Sequence, residues 1–574
     1  MAKESAEKNI AKVTVKSVYG FTDGLIKKYL PEPTLKKNPH YSSSAPMQVW
    51  PESLVREVAS KPEVAKEIAK AKEKKIRSAQ TRAAKAENKA NILNQKIMSH
   101  MPESLPDAYP NARAIKRHFV LHVGPTNSGK THSAMQSLRE SLSGAYLAPL
   151  RLLAYEQFER LNNDGYPCQL LTGEESVEVE GANFISSTVE MTKLNTFYHT
   201  VVIDEAQMLC DKDRGGAWTA AILGMCASEI HVCMAPQAKE IVVKLIEMCG
   251  DDYVIEYHQR QTPLEVEAGT FTFPQDVKRG DALIVFSRKS VHAVAAAVKD
   301  FGLSCSIIYG ALPYDVRHSE AEKFSAGKSD VVVATDAIGM GLNLPIKRVV
   351  FLEIEKFDGT SVRTLRAEEI QQIGGRAGRF GIYDKGTISS VGGRKIIRDR
   401  IGKTVPQITK AAVSFPESLL AVEDTLENTV EGWAKTLDPE IFETSGVDTL
   451  LQLVSHLKEY AADKHFVYKC ATISVDTSND YLIQLWYSLS QRMANHKEFS
   501  FSEQTVKYPR KNLSASDLAT LELAYKQTDL YYQFAVRFGY VDYISRIQET
   551  RSEISKLILR LLENGSYARK TCRI

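Results

Sequence analysis

No stretch of the 574 residues approaches the ~20 consecutive apolar positions that a bilayer span requires, so no membrane association is expected. Neither sign of charge dominates. Lys and Arg number 73 against 70 Asp and Glu, a net charge of +3, which permits a locally basic channel but does not by itself announce a nucleic-acid partner. The cysteines at 168, 210, 226, 233, 249, 305, 470 and 572 form no C-x-x-C pair and no His/Cys cluster. They read as small hydrophobes in a reducing compartment, with no disulfide framework, no structural zinc and no metal cluster expected. The first residues lack the apolar core of a secretory leader. With Glu4 and Glu7 so early they also lack the acid-poor character of a transit peptide, and the expected location is cytoplasmic, with mitochondrial as the alternative. What the chain does have is bulk. Hydrophobic residues make up 43% and charged residues 25%, the profile of a globular protein with length for three or four domains of ~150 residues each.

The most informative stretch is His122 to Thr131, HVGPTNSGKT. Gly124, Gly129, Lys130 and Thr131 fit the phosphate-cradle pattern G-x-x-x-x-G-K-[ST], with Pro125, Thr126, Asn127 and Ser128 completing the loop. Upstream, Phe119, Val120, Leu121 and Val123 form a short β-rich run; downstream, Ala134, Met135 and Leu138 have helical spacing. A strand, a glycine loop and a helix in that order bring backbone N–H groups and a helix N-terminus to a polyphosphate. Lys130 can reach the terminal phosphates and Thr131 can ligate Mg²⁺. ATP is the expected substrate. No aromatic-rich adenine pocket is legible upstream of the loop, so other NTPs or dNTPs are also acceptable.

Before this loop, Pro62 to Lys96 holds ten Lys and Arg against four Glu with eight alanines, a composition for a long, exposed, basic helix. Its charge suits either a solvated face or an RNA-contacting arm. Pro102, Pro106 and Pro110 then punctuate a linker.

After the loop, strand and helix signals alternate: AYLAPL at 145–150, ISSTVEM at 185–191 and VVIDEAQ at 201–207. That alternation predicts a parallel, doubly wound sheet. Three β-branched residues ending in Asp204 and Glu205 put both carboxylates at the C-terminal strand edge, where ligands bind in such sheets. Asp204 would hold Mg²⁺ with Thr131, and Glu205 would orient the attacking water.

A second alternating region has no phosphate loop of its own. Its strands are expected at 282–287, 305–310, 331–335 and 349–352. Asp336 to Asn343 follows the third of them, and Gly341 and Asn343 there are candidates for close approach to a phosphate or ribose. EEIQQIGGRAGR, 368–379, reads as a helix broken at Gly374-Gly375, with Arg376 and Arg379 on one face and aimed into a cleft. An arginine reaching a γ-phosphate from a neighbouring domain would stabilise the transferring group.

The set GPTNSGKT, AYLAPLRLLA, TGEE, STVEM, DEAQM, RGGAWTAAILG, IVFSRK, YGALP, ATDAIGMGLNLP and QQIGGRAGR resembles the superfamily-two DExH-box helicases. More narrowly it is similar to the ATP-dependent RNA helicases of the mitochondrial degradosome and their bacterial relatives, motif by motif over about Phe119 to Gly386. The resemblance implies two tandem RecA-like domains and nucleotide contacts from Gly124, Thr126, Gly129, Lys130, Thr131, Gln372, Arg376 and Arg379. It implies that Gln207 links the domains to hydrolysis. It further implies strand contacts, mostly to backbone phosphates, from Pro149, Arg151, Thr172, Gly173, Thr188, Ser287, Arg288 and Thr335. Met234-Ala235-Pro236 departs from the Gly-Glu-Pro triplet of relatives.

From about Thr404 the pattern turns helical. Leu450, Leu453, Val454 and Leu457, then Leu518, Leu521 and Tyr525, then Ile554, Leu557, Ile558 and Leu561 make core stripes at i, i+3, i+4, i+7 spacing. The aromatic run from Tyr531 to Tyr540 is read as packing rather than base stacking.

The expected architecture is therefore α/β: a mostly helical basic region (1–115), two RecA-like parallel-sheet domains (116–256 and 257–403) and a C-terminal all-helical domain (404–574). The family implies 3′ to 5′ movement on single-stranded or 3′-tailed RNA. The alternatives are a motor on DNA or RNA–DNA hybrids, a nucleoprotein-remodelling ATPase, or a non-catalytic scaffold. No nuclease constellation is visible, so a degradative role would require an exoribonuclease partner.

Overall fold

The computed structural model describes residues 8–37, 46–339, 343–502, 504–514 and 516–564. It divides into two compact units, residues 1–95 and 96–574.

In the first unit, strands Asn9–Ala11 and Thr34–Lys36 flank Met47–Pro51 in an antiparallel sheet. Ile10, Val15, Phe21, Leu25, Trp50, Val55 and Val64 form its core, and the buried Trp50 indole donates to the Pro31 carbonyl at 2.8 Å. The basic helix spans Pro62–His100, about 58 Å at 1.5 Å per residue. Only its first turns carry the apolar side chains, Val64 and Ile68, that close this core. Beyond Ala71 almost every position to Asn91 is exposed, as a run without apolar periodicity requires. The helical expectation for this region thus missed a small sheet, whose strands of three to five residues are too short to carry a two-residue alternation.

In the second unit an eight-stranded sheet has the spatial order Asp252–Tyr257, His118–Val123, Cys226–Met234, Phe197–Ile203, Gly144–Ala148, Phe184–Thr188, Cys168–Leu171, Ser176–Val177. All neighbours are parallel except the last pair. The strands that end in the phosphate loop and in Asp204 are separated only by Cys226–Met234. Both motifs therefore emerge at one C-terminal edge. A second, wholly parallel sheet runs Leu264–Val266, Gly386–Ser390, Arg348–Phe351, Asp281–Ile284, Val331–Ala334, Cys305–Ile308. Its buried strands read VVVA and RVVF, and apart from Arg348, which pairs with Asp281, they are continuous apolar runs because every position is covered.

The region after Thr404 carries the expected helices, among them Val447–His456, Asp517–Phe538 and Ile544–Asn564. It also departs from an all-helical domain, because Ala411–Ser414 and Phe442–Ser445 pair as two short parallel strands. They seat on helix Gly215–Gly224. A Cβ on Gly216 would lie 2.1 Å from Ser414 Oγ, and one on Gly215 2.4 Å from the Leu209 carbonyl. The glycines of RGGAW thus permit a backbone-to-backbone approach that a larger residue would block. The aromatic run packs, as read: Phe499 stacks on Tyr540 at 4.8 Å, Phe534 on Phe538 at 5.9 Å, and Arg551 lies over Tyr532.

Candidate active site

Strand His118–Val123 delivers the chain into the loop, and helix Lys130–Glu140 starts immediately after Gly129, whose φ of 84° is one that glycine adopts freely. Asn127 is also left-handed, at φ 62°. Gly124 is where the loop meets its neighbour most tightly, since a Cβ there would lie 2.4 Å from the His258 carbonyl. Lys130 curls back over the loop and donates to the Gly124 and Pro125 carbonyls at 2.8 and 2.6 Å. Its burial holds its pKa below the ordinary lysine value, while Glu205 and Asp204 pull the other way.

Asp204 is buried at the end of its strand. Thr131 Oγ1 donates to it at 3.1 Å, Tyr146 Oη at 2.9 Å and the Glu205 amide at 2.9 Å. Burial, with the Glu205 charge adding to it, pushes the Asp204 carboxyl up to about 6, and the Tyr146 hydrogen bond opposes this. A carboxylate and a hydroxyl facing each other are hard oxygen donors, a pair that fits Mg²⁺. Glu205 takes a left-handed conformation, φ 49°. Gln207 Nε2 donates to the Glu205 carboxylate, and Gln207 Oε1 accepts from the Ala235 amide at 3.0 Å. On the Met234-Ala235-Pro236 side this second contact uses only the main chain, so it does not depend on which side chains stand there.

The second sheet supplies the opposite wall. Helix Ala367–Gly374 ends before the arginines, so Arg376 and Arg379 do not share a helical face as the spacing suggested. Gly378, at φ 71°, lies so close to the following strand that a Cβ would meet the Gly386 nitrogen at 2.4 Å, and the chain must turn there. The turn separates the two guanidiniums. Arg376 is only partly exposed, at 15%, donates to the Gly339 carbonyl at 3.2 and 2.6 Å, and lies 3.6 Å from Glu205 Oε1. Arg379 instead donates to the Asn343 carbonyl at 2.8 Å, and the Asn343 amide reaches Glu156 at 3.3 Å. Gln372 packs against Gly339. Gly341 lies outside the described residues.

The two walls touch directly. Asn127 Nδ2 donates to the Gly378 carbonyl at 2.9 Å, and a Cβ on Gly375 would stand 3.0 Å from Thr126 Cβ. Arg260, which no motif singled out, donates to the carbonyls of Thr126 at 3.2 Å, Gly375 at 2.6 Å, and Ala377.

The residues expected to grip a strand divide into two groups. Arg151 and Thr172 line a cavity of about 340 Å³ with Tyr155, Tyr314, Tyr525 and Arg551. Glu174 is the hub of this cavity. It pairs with Arg151, accepts from Arg551 Nη2 at 2.5 Å and from Tyr525 Oη at 3.2 Å. Thr172 Oγ1 caps the Glu175 amide at 3.0 Å, and Gly173 lies beside the Arg151 guanidinium. Pro149 presents its carbonyl to Arg214 at 2.6 Å, and Thr188 is buried at a strand end. On the second sheet, Ser287 caps helix Arg288–Asp300 through the Ser290 amide, Arg288 pairs with Glu522, and Thr335 caps the Ala337 amide. Tyr314, Tyr525 and Arg551 were missed as lining residues because their stretches carry ordinary helical stripes.

The chain matches two family models: the DEXQ-box helicase domain of Suv3 over residues 106–258, and the helicase conserved C-terminal domain over 269–381. It is 36% identical over 446 residues to the mitochondrial ATP-dependent RNA helicase SUV3 of Oryza sativa, covering 75% of this chain and 76% of that one. Against the mitochondrial ATP-dependent RNA helicase SUPV3L1 of Danio rerio it is 32% identical, covering 75% and 60%. Against the mitochondrial DExH-box helicase DExH16 of Arabidopsis thaliana it is 45% identical, covering 47% and 48%. Among solved structures, the Escherichia coli DEAH/RHA helicase HrpB aligns with 76% of this chain and 60% of its own at 16% identity and a TM-score of 0.46.

Proposed function

Since this chain belongs to the Suv3 family of DExH-box helicases, we infer that it is an ATP-dependent RNA helicase that moves along single-stranded RNA and opens duplexes ahead of it. The observation that carries the reading is the contact between the phosphate loop and the arginine turn, with Arg376 3.6 Å from Glu205. Lys130 and the loop amides would hold the β- and γ-phosphates of ATP, and Glu205 would orient the attacking water. Arg376 would meet charge developing on the γ-phosphoryl group from the other sheet. Thr131 and Asp204 would hold Mg²⁺, whose charge neutralises the phosphates. Gln207, joined to Glu205 on one side and to the Ala235 amide on the other, would carry the state of the site into the sheet. Opening and closing between Lys130 and Arg376 would then alternate the grip of the two sheets on the strand.

That grip would come from Arg151, Thr172, Gly173 and Thr188 on one sheet and Ser287, Arg288 and Thr335 on the other. Arg151 and Arg288 are held by Glu174 and Glu522, so RNA phosphates would exchange with carboxylates as the strand enters. Contacts of this kind carry little base information, and binding should be strongly salt-dependent. A 3′ to 5′ polarity, a role in RNA turnover beside an exoribonuclease, and use of other NTPs belong to the same proposal. The relatives' names favour a mitochondrial location over the cytoplasmic one expected from composition.

The test is ATP-dependent unwinding of RNA and DNA duplexes carrying a 3′ or a 5′ overhang. Unwinding confined to 3′-tailed RNA supports the proposal. Equal unwinding of DNA would make the chain a general motor, and ATPase without unwinding would make it a remodeller.

A further inference from the structure

Behind the phosphate loop, strand pairing gathers residues that lie far apart in sequence. Glu256 pairs in register with His122, and His258 follows Glu256 by two, so all three side chains share one sheet face. The His258 amide donates to the Val123 carbonyl at 2.7 Å, which fixes it beside the loop's first residue. Three donor atoms converge: His122 Nδ1 lies 2.9 Å from His258 Nε2 and 3.2 Å from Glu256 Oε2, and the last two are 3.8 Å apart. Ligands ~2.0–2.1 Å from a tetrahedral ion stand about 3.3 Å from one another, a value these edges bracket.

The hydrogen-bond chain on the other side sets the tautomer. Glu229 only accepts, so His231 Nε2 must donate to it, at 2.7 Å. In the neutral ring His231 Nδ1 is then an acceptor, and His122 Nε2 donates to it, at 2.8 Å. This leaves His122 Nδ1 as an acceptor, met in the metal-free chain by His258 Nε2–H at 2.9 Å, with the Glu256 carboxylate at 3.2 Å. A divalent ion in place of that His258 proton would offset the repulsion between the two acceptors, His122 Nδ1 and the Glu256 carboxylate, and bind all three groups at once. The relay Glu229–His231–His122 is also the outer-shell arrangement by which carboxylates orient metal-bound imidazoles.

We propose that His122, Glu256 and His258 form a binding site for a borderline first-row divalent ion, Zn²⁺ by preference, that clamps the sheet's edge strand to the strand feeding the phosphate loop. Two imidazoles and a carboxylate suit Zn²⁺ or Co²⁺ better than the all-oxygen preference of Mg²⁺. A fourth position remains for water. The site is separate from Thr131 and Asp204. Its consequence is mechanical: with His258 held, Gly124 keeps its approach to the His258 carbonyl and the loop entry is fixed.

The test titrates Co²⁺ into untagged, EDTA-stripped full chain in excess Mg²⁺, which occupies hard oxygen sites. The expected result is one equivalent of Co²⁺ giving visible absorption of tetrahedral intensity, displaced by Zn²⁺ and lost in both His258→Ala and Glu256→Gln. Both positions lie on the outermost strand or just past its end, and far-UV circular dichroism checks that the variants fold. Absence of the band in the parent chain, or its persistence in either variant, overturns the proposal.

Discussion

One guanidinium, that of Arg260, holds carbonyls from the phosphate loop and from the arginine turn together. Nothing in the residues around it forecast this, because it acts on main-chain atoms brought near by folding. The placement of Lys130, Asp204 and Glu205 was legible for the opposite reason, since the work proposed for them requires particular side chains at fixed offsets from a strand end. His122 is intermediate. Burial, and then His231, His258 and Lys130, hold its pKa down to about 3, whereas the unfolded imidazole titrates near 6.5. Below about 6.5 the unfolded chain therefore binds a proton that the folded chain refuses, and stability falls with falling pH by up to about 1.4 kcal/mol per unit until pH reaches the folded value. In EDTA, the urea midpoint should drop between pH 7 and pH 5, and His122→Asn should reduce that drop. An equal drop in both proteins would mean that His122 is protonated in the fold.

Among the elements, interior strands announced themselves and marginal ones did not. Val331–Ala334, and Arg348–Phe351 after its first residue, are continuous apolar runs, legible because both faces are covered. Leu264–Val266 and Ala411–Ser414 are three and four residues long, and no periodicity can be read from so few. The second of these packs against the glycine pair at the start of Gly215–Gly224. Gly216→Ala would gain a little helix propensity but would place a methyl carbon 2.1 Å from Ser414 Oγ and 2.7 Å from the Ser414 backbone nitrogen. Overpacking of that kind typically costs about 1–3 kcal/mol. A fall of a few degrees in Tm by calorimetry is expected, and an unchanged or raised Tm would mean that the strand pair yields at no cost.

For the whole molecule, neither sheet by itself holds the proposed site. The first contributes the phosphate loop, Asp204 and Glu205; the second contributes Arg376, which meets Glu205 where the loop and the turn interlock through Asn127 with Gly378 and through Arg260. The sequence order of motifs made this division readable, while the separation of Arg376 from Arg379 depended on the helix stopping at Gly374. The most direct measurement is RNA-stimulated ATP turnover by Arg376→Ala beside its affinity for a fluorescent ATP analogue. An arginine that acts on the transferring phosphoryl group is worth on the order of 10³ or more in kcat, so turnover should collapse while nucleotide affinity stays within a few-fold. Turnover within about tenfold of the parent chain would contradict a site completed from the second sheet.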